Sequence, residues 1–437
     1  MSGTTHDNFA RSYATRASGM TASEIRALFS VASRPEVVSL AGGMPYTAAL
    51  PMDSVAAMLS DLVTDRGAMA LQYATAQGDP VLRELICTIM ALEGIDASPD
   101  DVVVTVGSQQ GLDLISRIFL DPGDIVIAEG PSYVGALAVF AAAEAEVIHV
   151  NMDGDGLVPE ALAETFDRLA RTGRPPKLLY TVPTFQNPAG VTLAPRRRLE
   201  ILDIAARHNV IVIEDNPYGL LGFTPPPVTA LRGYDAPGVI YLGTFSKTIA
   251  PGFRVGWVLA PPAVRDKLVL ANEASVLCPP TFSQLAVRTY LETQPWQDQI
   301  KAFVEIYHER RDAMLTGLHD LLPPGCGWGV PEGGFYVWLT LPAGLDAKAM
   351  LPRAIAERVA YVPGSAFYAD SGGSGALRLS YCYPPPDRIR EGIRRLAGVL
   401  EVELDLLATF GPSAIHDAGV ERLPGAVRAD SPGPELV

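Results

Sequence analysis

Residues 239–260 read VIYLGTFSKTIAPGFRVGWVLA. Two apolar, β-rich runs frame a segment that carries one lysine, Lys247, just behind Thr244 and Ser246, with Arg254 in the Pro-Gly turn that follows. A lysine is ordinarily a solvated charge, and from a strand end its long stem lets it snorkel to water. The other reading is a side chain aimed inward. There, partial desolvation and a nearby cation lower the ammonium pKa and free the amine to attack an aldehyde. Arg254, seven positions on, offers a planar fork of donors suited to a phosphate.

Outward from this segment the same rhythm continues. From about residue 101 to 260, VVVTV, IVIA, EVIHV, KLLYTV, VIVIED, VIYLG and VGWVLA alternate with helix-like stretches, which predicts an α/β domain with a mostly parallel central sheet. The runs are nearly all apolar, as burial on both faces requires. At 437 residues the chain exceeds one ordinary core, so a large domain plus a smaller α+β domain is expected. The division reads as an N-terminal arm at 1–20, a small domain from 21–65 and 325–410, a large domain at 66–324, and a disordered tail at 411–437, rich in Pro, Gly and Ala. Helices are expected at 22–32, 53–65, 80–93 and 387–410, and strands in PEGGFYVWLTLP and ALRLSYCY. The charged face of residues 301–312 reads as solvated surface.

Composition narrows the function. A net charge of −15 argues against a nucleic-acid or anionic-membrane partner, so any anionic ligand must be held by local donors. Cys87, Cys278, Cys326 and Cys382 are scattered without metal-ligand spacing, and no metal site or disulfide framework is expected. The N-terminus lacks a signal-peptide core and no later run approaches twenty apolar residues, which makes the cytoplasm the expected location.

Ligands of open α/β sheets bind beyond the strand ends, and polar residues stand there in number. Gly107 can bend the chain sharply, leaving Ser108 and Gln109 at a helix N-terminus that could bind phosphate; Ser108 as an ordinary cap is the other reading. Asp215 ends the run VIVIED, where a carboxylate could keep a pyridine nitrogen protonated or simply cap the loop. Tyr218, three positions on, and Asn187 before Pro188 could hold a ring oxygen, or serve only in turns. Tyr133 could stack on a ring or fill the core. Each ordinary reading is comfortable alone. Together with Lys247, Ser246 and Arg254, at successive strand ends of one sheet, these residues point to pyridoxal phosphate (PLP), which brings both an aldehyde and a phosphate.

The motifs SLAGGMP, LQYATAQGDPVLRE, TVGSQQGLDL, EGPSYVGA, PTFQNPAG, EDNPYG, GTFSKTIAPGFRVGW, PEGGFYVW and LRLSY follow one another between about residues 15 and 405. In that order they resemble the fold-type I PLP-dependent aminotransferases, and among them the 2-aminoadipate/kynurenine aminotransferase group. The resemblance implies that Lys247 forms the Schiff base and later shuttles the substrate proton. It implies that Asp215 pairs with the ring nitrogen, that Asn187 and Tyr218 hold the 3-oxygen, and that Tyr133 stacks on the ring. Ser108, Gln109, Ser246 and Arg254 would bind phosphate, with Tyr73 reaching the phosphate of a neighbouring subunit in a homodimer with shared sites. Arg378 would grip the substrate carboxylate, Gly43 would approach the substrate, and Arg26, on a mobile N-terminal helix, would read acidic side chains. Two departures stand out: Asn216 follows Asp215 where the family often has an acid, and the tail is longer than usual.

The implied reaction moves the amino group of an aromatic, branched or 2-aminoadipate-like L-amino acid to a 2-oxo acid, 2-oxoglutarate being the expected acceptor, in ping-pong fashion. A PLP lyase, decarboxylase or racemase would keep every cofactor residue and is the principal alternative. The effector domain of a transcription regulator is a second one, disfavoured by the acidic charge.

Overall fold

The computed structural model describes residues 9, 12–20, 34–234, 236–411 and 427–428. Arg26 and the helix expected at 22–32 lie outside the described residues, as does most of the 411–437 segment. Among the described residues no helix is long and apolar enough to cross a membrane.

After a short strand β1 (Val38–Ser39), the chain builds an eight-stranded sheet: β2 (Val102–Thr105), β3 (Ile125–Gly130), β4 (Glu146–Asp153), β5 (Gly156–Leu157), β6 (Leu178–Thr181), β7 (Ile211–Asp215), β8 (Val239–Thr244) and β9 (Gly256–Leu259). Its spatial order is β2-β9-β8-β7-β6-β3-β4-β5. The central run β4, β3, β6, β7, β8 is parallel. β9 is antiparallel to both its neighbours, and β5 forms an antiparallel edge. The apolar runs bury both faces because alternate side chains point to opposite sides. Val126, Leu178 and Tyr180 join one core cluster with Leu112, Ile115 and Phe140, while Ile127 and Leu179 join the other with Phe166, Leu162 and Ile201.

This topology decides where function can sit. Residues that follow β2, β3, β6, β7 and β8 emerge at one edge of the sheet. Because β9 runs the other way, the residues that precede it return to the same edge.

The C-terminal part of the chain carries β10 (Gly327–Trp328), β11 (Tyr336–Thr340), β12 (Val359–Ala360), β13 (Val362–Pro363), β14 (Ala376–Ser380) and β15 (Val427–Arg428). Five of these form an antiparallel sheet in the order β13-β14-β11-β10-β15, and β12 pairs with β1. Helix Pro386–Phe410 packs over it together with helix Trp296–Leu321, interleaving Ile389, Ile393 and Leu396 with Phe303, Met314 and Leu318.

Several details differ from the sequence expectation. Helix Met52–Ala70 runs past the end expected at residue 65, and its Leu62 and Ala70 cluster with Leu285 and Ala286. Within the tail, Val427–Arg428 pairs with Gly327–Trp328 as an edge strand. The stretch 301–312 is not solvated throughout. Arg310 and Arg311 are buried, with guanidinium groups 4.1 Å from the Tyr46 ring and 4.8 Å from the Phe223 ring. Their stems bury apolar surface that the residue letters alone assign to solvent.

Candidate active site

At the shared sheet edge lies a cavity of about 540 Å³, lined by Gly43, Ser108, Gln109, Tyr133, Asn187, Asp215, Tyr218, Ser246, Lys247, Arg254, Tyr336 and Arg378 among others. Eleven of those twelve are sequence-derived candidates; Tyr336 is the addition. Tyr73 does not line it and is 76% exposed.

β8 delivers the lysine. Thr244 at its end accepts a hydrogen bond from the Ser246 N–H (3.1 Å), a tight turn that sends Lys247 back over the sheet edge. Lys247 Nζ donates to the Gly43 carbonyl oxygen (2.9 Å) and stands 5.7 Å from the Phe335 ring centroid. Burial, aided by the Arg378 and Arg254 charges, pushes its ammonium down to about 8, so a neutral amine is accessible near physiological pH.

Asp215 ends β7 with one oxygen satisfied: Tyr180 Oη donates to Oδ2 (2.8 Å). Its Oδ1 is buried and has no hydrogen-bond partner. Burial raises the carboxyl to about 6 and the Tyr180 hydrogen bond draws it back, as for an acid awaiting a cation. Tyr218 Oη meets Tyr336 Oη at 3.5 Å, and the Tyr133 hydroxyl reaches Gln109 Oε1 at 3.3 Å.

Gly107, at φ +75°, turns the chain after β2, and it rather than Ser108 is the cap of helix Ser108–Phe119. Ser108 is the first helical residue, so its hydroxyl and the opening N–H groups are not spent on capping. Arg254, itself in the left-handed region at φ +54°, lays its guanidinium against this turn. Its Nη2 donates to Val106 O (3.1 Å) and Nη1 to Ser246 Oγ (3.4 Å). A helix N-terminus, a hydroxyl and a guanidinium thus converge as a cradle for a dianion.

From the antiparallel sheet, β14 inserts Arg378. It is buried, stacked 4.1 Å from the Tyr336 ring centroid, and donates to Asn187 Oδ1 (2.8 Å) and Ala41 O (2.7 Å). Both acceptors are neutral and its Nε is unpartnered. A buried cation resting on neutral oxygens is a receptor for an anion. The same bond turns the Asn187 amide so that its oxygen is spent on Arg378 and its N–H groups remain for a ligand.

Sequence reasoning missed Tyr180 and Tyr336. Tyr180 stands in KLLYTV, where it reads as one more apolar strand residue, and only the register of β6 beside β7 brings its hydroxyl to Asp215. Tyr336 lies inside the motif PEGGFYVW, but nothing in that motif says which of its aromatics faces the site.

The donor set fits pyridoxal phosphate: an unshared acid oxygen for the ring nitrogen, an amine for the aldehyde and a cationic cradle for the phosphate. Compared with known proteins, residues 35–396 match the family described as aminotransferase class I and II. The chain belongs to that family and is a PLP-dependent aminotransferase of fold type I. It is 42% identical over 91% of its length, and 96% of the relative's, to "Aromatic-amino-acid aminotransferase 1" of Thermococcus litoralis. It is 36% identical over 88% of its length, and 96% of the relative's, to "2-aminoadipate transaminase" of Thermus thermophilus. Among solved structures, the Pyrococcus horikoshii kynurenine aminotransferase in complex with PMP superposes with a TM-score of 0.87 at 41% identity, covering 91% of this chain and 99% of that one.

Proposed function

We propose that the enzyme takes the amino group of an aromatic, branched or 2-aminoadipate-like L-amino acid and passes it to a 2-oxo acid, with 2-oxoglutarate as acceptor, in a ping-pong cycle. The observation that carries the amino-acid assignment is Arg378, buried on neutral acceptors and facing the same cavity as Lys247. A bidentate grip on an α-carboxylate supplies the missing charge. The names of the similar proteins support the side-chain range, and the aromatic and aliphatic lining from Tyr133, Val134, Ala138, Met44 and Tyr336 suits apolar groups.

Each residue then has one task. Asp215 would hold the cofactor's ring nitrogen through Oδ1, Asn187 and Tyr218 its 3-oxygen, and Tyr133 its ring face. Ser108, Gln109, Ser246 and Arg254 would hold the phosphate. Bound there, PLP supplies an electron sink for the pair released when the substrate loses its Cα proton. Lys247 Nζ removes that proton and returns it elsewhere, a role suited to an amine whose pKa lies near 8. Gly43 lets the backbone close on the substrate; a Cβ there would fall 2.0 Å from Tyr336 Oη.

Arg26 remains part of the reading, as the group that meets acidic side chains. A homodimer with shared sites is supported by exposed Met69, Leu71, Tyr73 and Leu277, which the Ala74 N–H to Cys278 Sγ contact (3.5 Å) brings side by side. Cys87, Cys278, Cys326 and Cys382 form no disulfide with one another, which supports a reducing, cytoplasmic setting.

Mixing the PLP-loaded protein with single L-amino acids and then 2-oxoglutarate tests the assignment. Release of the matching 2-oxo acid, with glutamate formed in the second half, is expected. Release of carbon dioxide, ammonia or a D-amino acid instead would overturn it.

A further inference from the structure

Behind the Asp215 turn, on the side away from the cavity, lies a polar cluster that the reaction as described does not use. Glu93 follows helix Pro80–Ala91 and is buried. Its Oε1 accepts from Asn216 Nδ2 (2.7 Å) and its Oε2 from Tyr241 Oη (2.9 Å). Asn216 is the residue after Asp215, and Tyr241 lies on β8, the strand that delivers Ser246 and Lys247. Gly219 closes the far end of the turn against the same carboxylate, where a Cβ would fall 1.7 Å from Oε1. A small cavity of about 20 Å³ is bordered by Glu93, Asn216 and Tyr241, and Pro217 and Thr244 line both it and the large one. One layer of residues therefore separates Glu93 from the ligand cavity.

We propose that Glu93 is a positioning residue of the aminotransferase: its carboxylate, by holding Asn216 and Tyr241 together, locks the Asp215–Tyr218 turn to β8 and keeps Asp215 Oδ1 aimed into the cavity. The inference rests on the reading of Asp215 as the partner of the cofactor's ring nitrogen.

Only the ionised form accepts on both oxygens. Once protonated, the group holds one donor too many: with the proton toward Tyr241 the tyrosine hydroxyl loses its acceptor, and with it toward Asn216 the amide must turn its Oδ1 inward, so one charged hydrogen bond of the brace is lost either way. The groups that face Glu93 are Tyr241 from β8, Asn216 from the turn, Glu214 from β7 and Arg198 from helix Pro195–Arg207. Burial is the largest influence on Glu93 and raises it to about 7 against its two hydrogen bonds, so the brace is switched within the working range of a neutral-pH enzyme. Tyr241 is raised well above its ordinary value by burial and stays protonated throughout.

The sign separates positioning from mere support. A carboxyl raised in the folded state favours folding below its ordinary value near 4.5 and loses that benefit as pH rises through about 7. The brace runs the opposite way, present above that pH and lost below it. A purely structural Glu93 moves stability alone, whereas a positioning one moves cofactor binding in the other direction.

The test uses the full chain with Glu93→Gln and Glu93→Leu, measuring PLP affinity and thermal stability of the cofactor-free protein at about pH 6 and about pH 8. Glutamine stands in for the protonated carboxyl: its NH₂ group meets Asn216 only through a flip that turns the unpartnered Asn216 Oδ1 inward, while Tyr241 still finds a neutral oxygen. Glu93→Gln is therefore expected to match the wild type at the lower pH and to bind PLP several-fold more weakly at the higher. Glu93→Leu is expected to bind about tenfold more weakly than the wild type at the higher pH, having lost two hydrogen bonds to a charged acceptor. A wild-type to Glu93→Gln ratio that is the same at both pH values overturns the proposal, and so does wild-type binding by Glu93→Leu. If the leucine variant does not fold, the glutamine ratio alone decides. Asp215→Asn is the companion: unchanged binding and spectrum there sinks the Asp215 reading itself, whereas a loss there with silent Glu93 variants sinks only the present inference.

Discussion

At the scale of single residues, the site works by leaving charge unsatisfied in a controlled way. Lys247 has one hydrogen bond to a carbonyl, Asp215 one free oxygen, and Arg378 no carboxylate, each at a position where desolvation makes that incompleteness costly. The cost shows as reactivity. A surface lysine stays protonated up to about pH 10, but Lys247 deprotonates near 8. Trapping of added pyridoxal phosphate by borohydride in the cofactor-free protein should therefore quicken from about pH 7 to about pH 9 and then level off. Lys247→Ala should abolish the trapped adduct, located by peptide mass. An adduct distributed over surface lysines, or a rate still climbing towards pH 10, would contradict the depressed amine.

Elements determine which of these residues meet. The Gly107 turn and the Pro251–Phe253 turn belong to different strands, yet Arg254 Nη2 lies 2.4 Å from where a Gly107 Cβ would be. Gly107→Ala should therefore displace the guanidinium and weaken PLP binding, with a loss of about tenfold for one charged hydrogen-bonding group. The same substitution at Gly123, where φ is +86° and nothing lies within 4 Å, is strained by its positive φ but meets no clash. Gly123→Ala should lower the melting temperature and leave PLP affinity unchanged, and equal losses of affinity in both would refute the steric account. These elements also explain what the sequence could and could not reveal. Ser108, Tyr133, Asn187, Asp215 and Lys247 were legible because each interrupts an apolar run at its carboxyl end, and a parallel sheet gathers such ends. Arg254 joins them only because β9 is antiparallel, which the run VGWVLA does not announce. Tyr180 acts from a strand position that periodicity assigns to the core and Glu93 from the turn after helix Pro80–Ala91, and their roles depend on register and helix placement that no local pattern encodes.

At the scale of the whole molecule, one candidate remains apart from the others. Tyr73 projects from the surface beside Leu71 and next to the Val276–Cys278 segment, 76% exposed, while the residues it is expected to serve lie in the cavity. A single chain gives it no phosphate to reach. In the proposed two-fold assembly the same patch would meet its own copy, and each chain would complete the other's site. Complementation distinguishes this arrangement from a Tyr73 that acts within its own chain. Lys247→Ala and Tyr73→Ala chains, each impaired alone, are unfolded together and refolded at equal concentration. Random pairing makes half of the dimers hybrids, and each hybrid holds one site with both native residues, so about a quarter of wild-type activity should return. If Tyr73 serves its own chain, every hybrid site carries a defect and the mixture should show no more than the average of its parents.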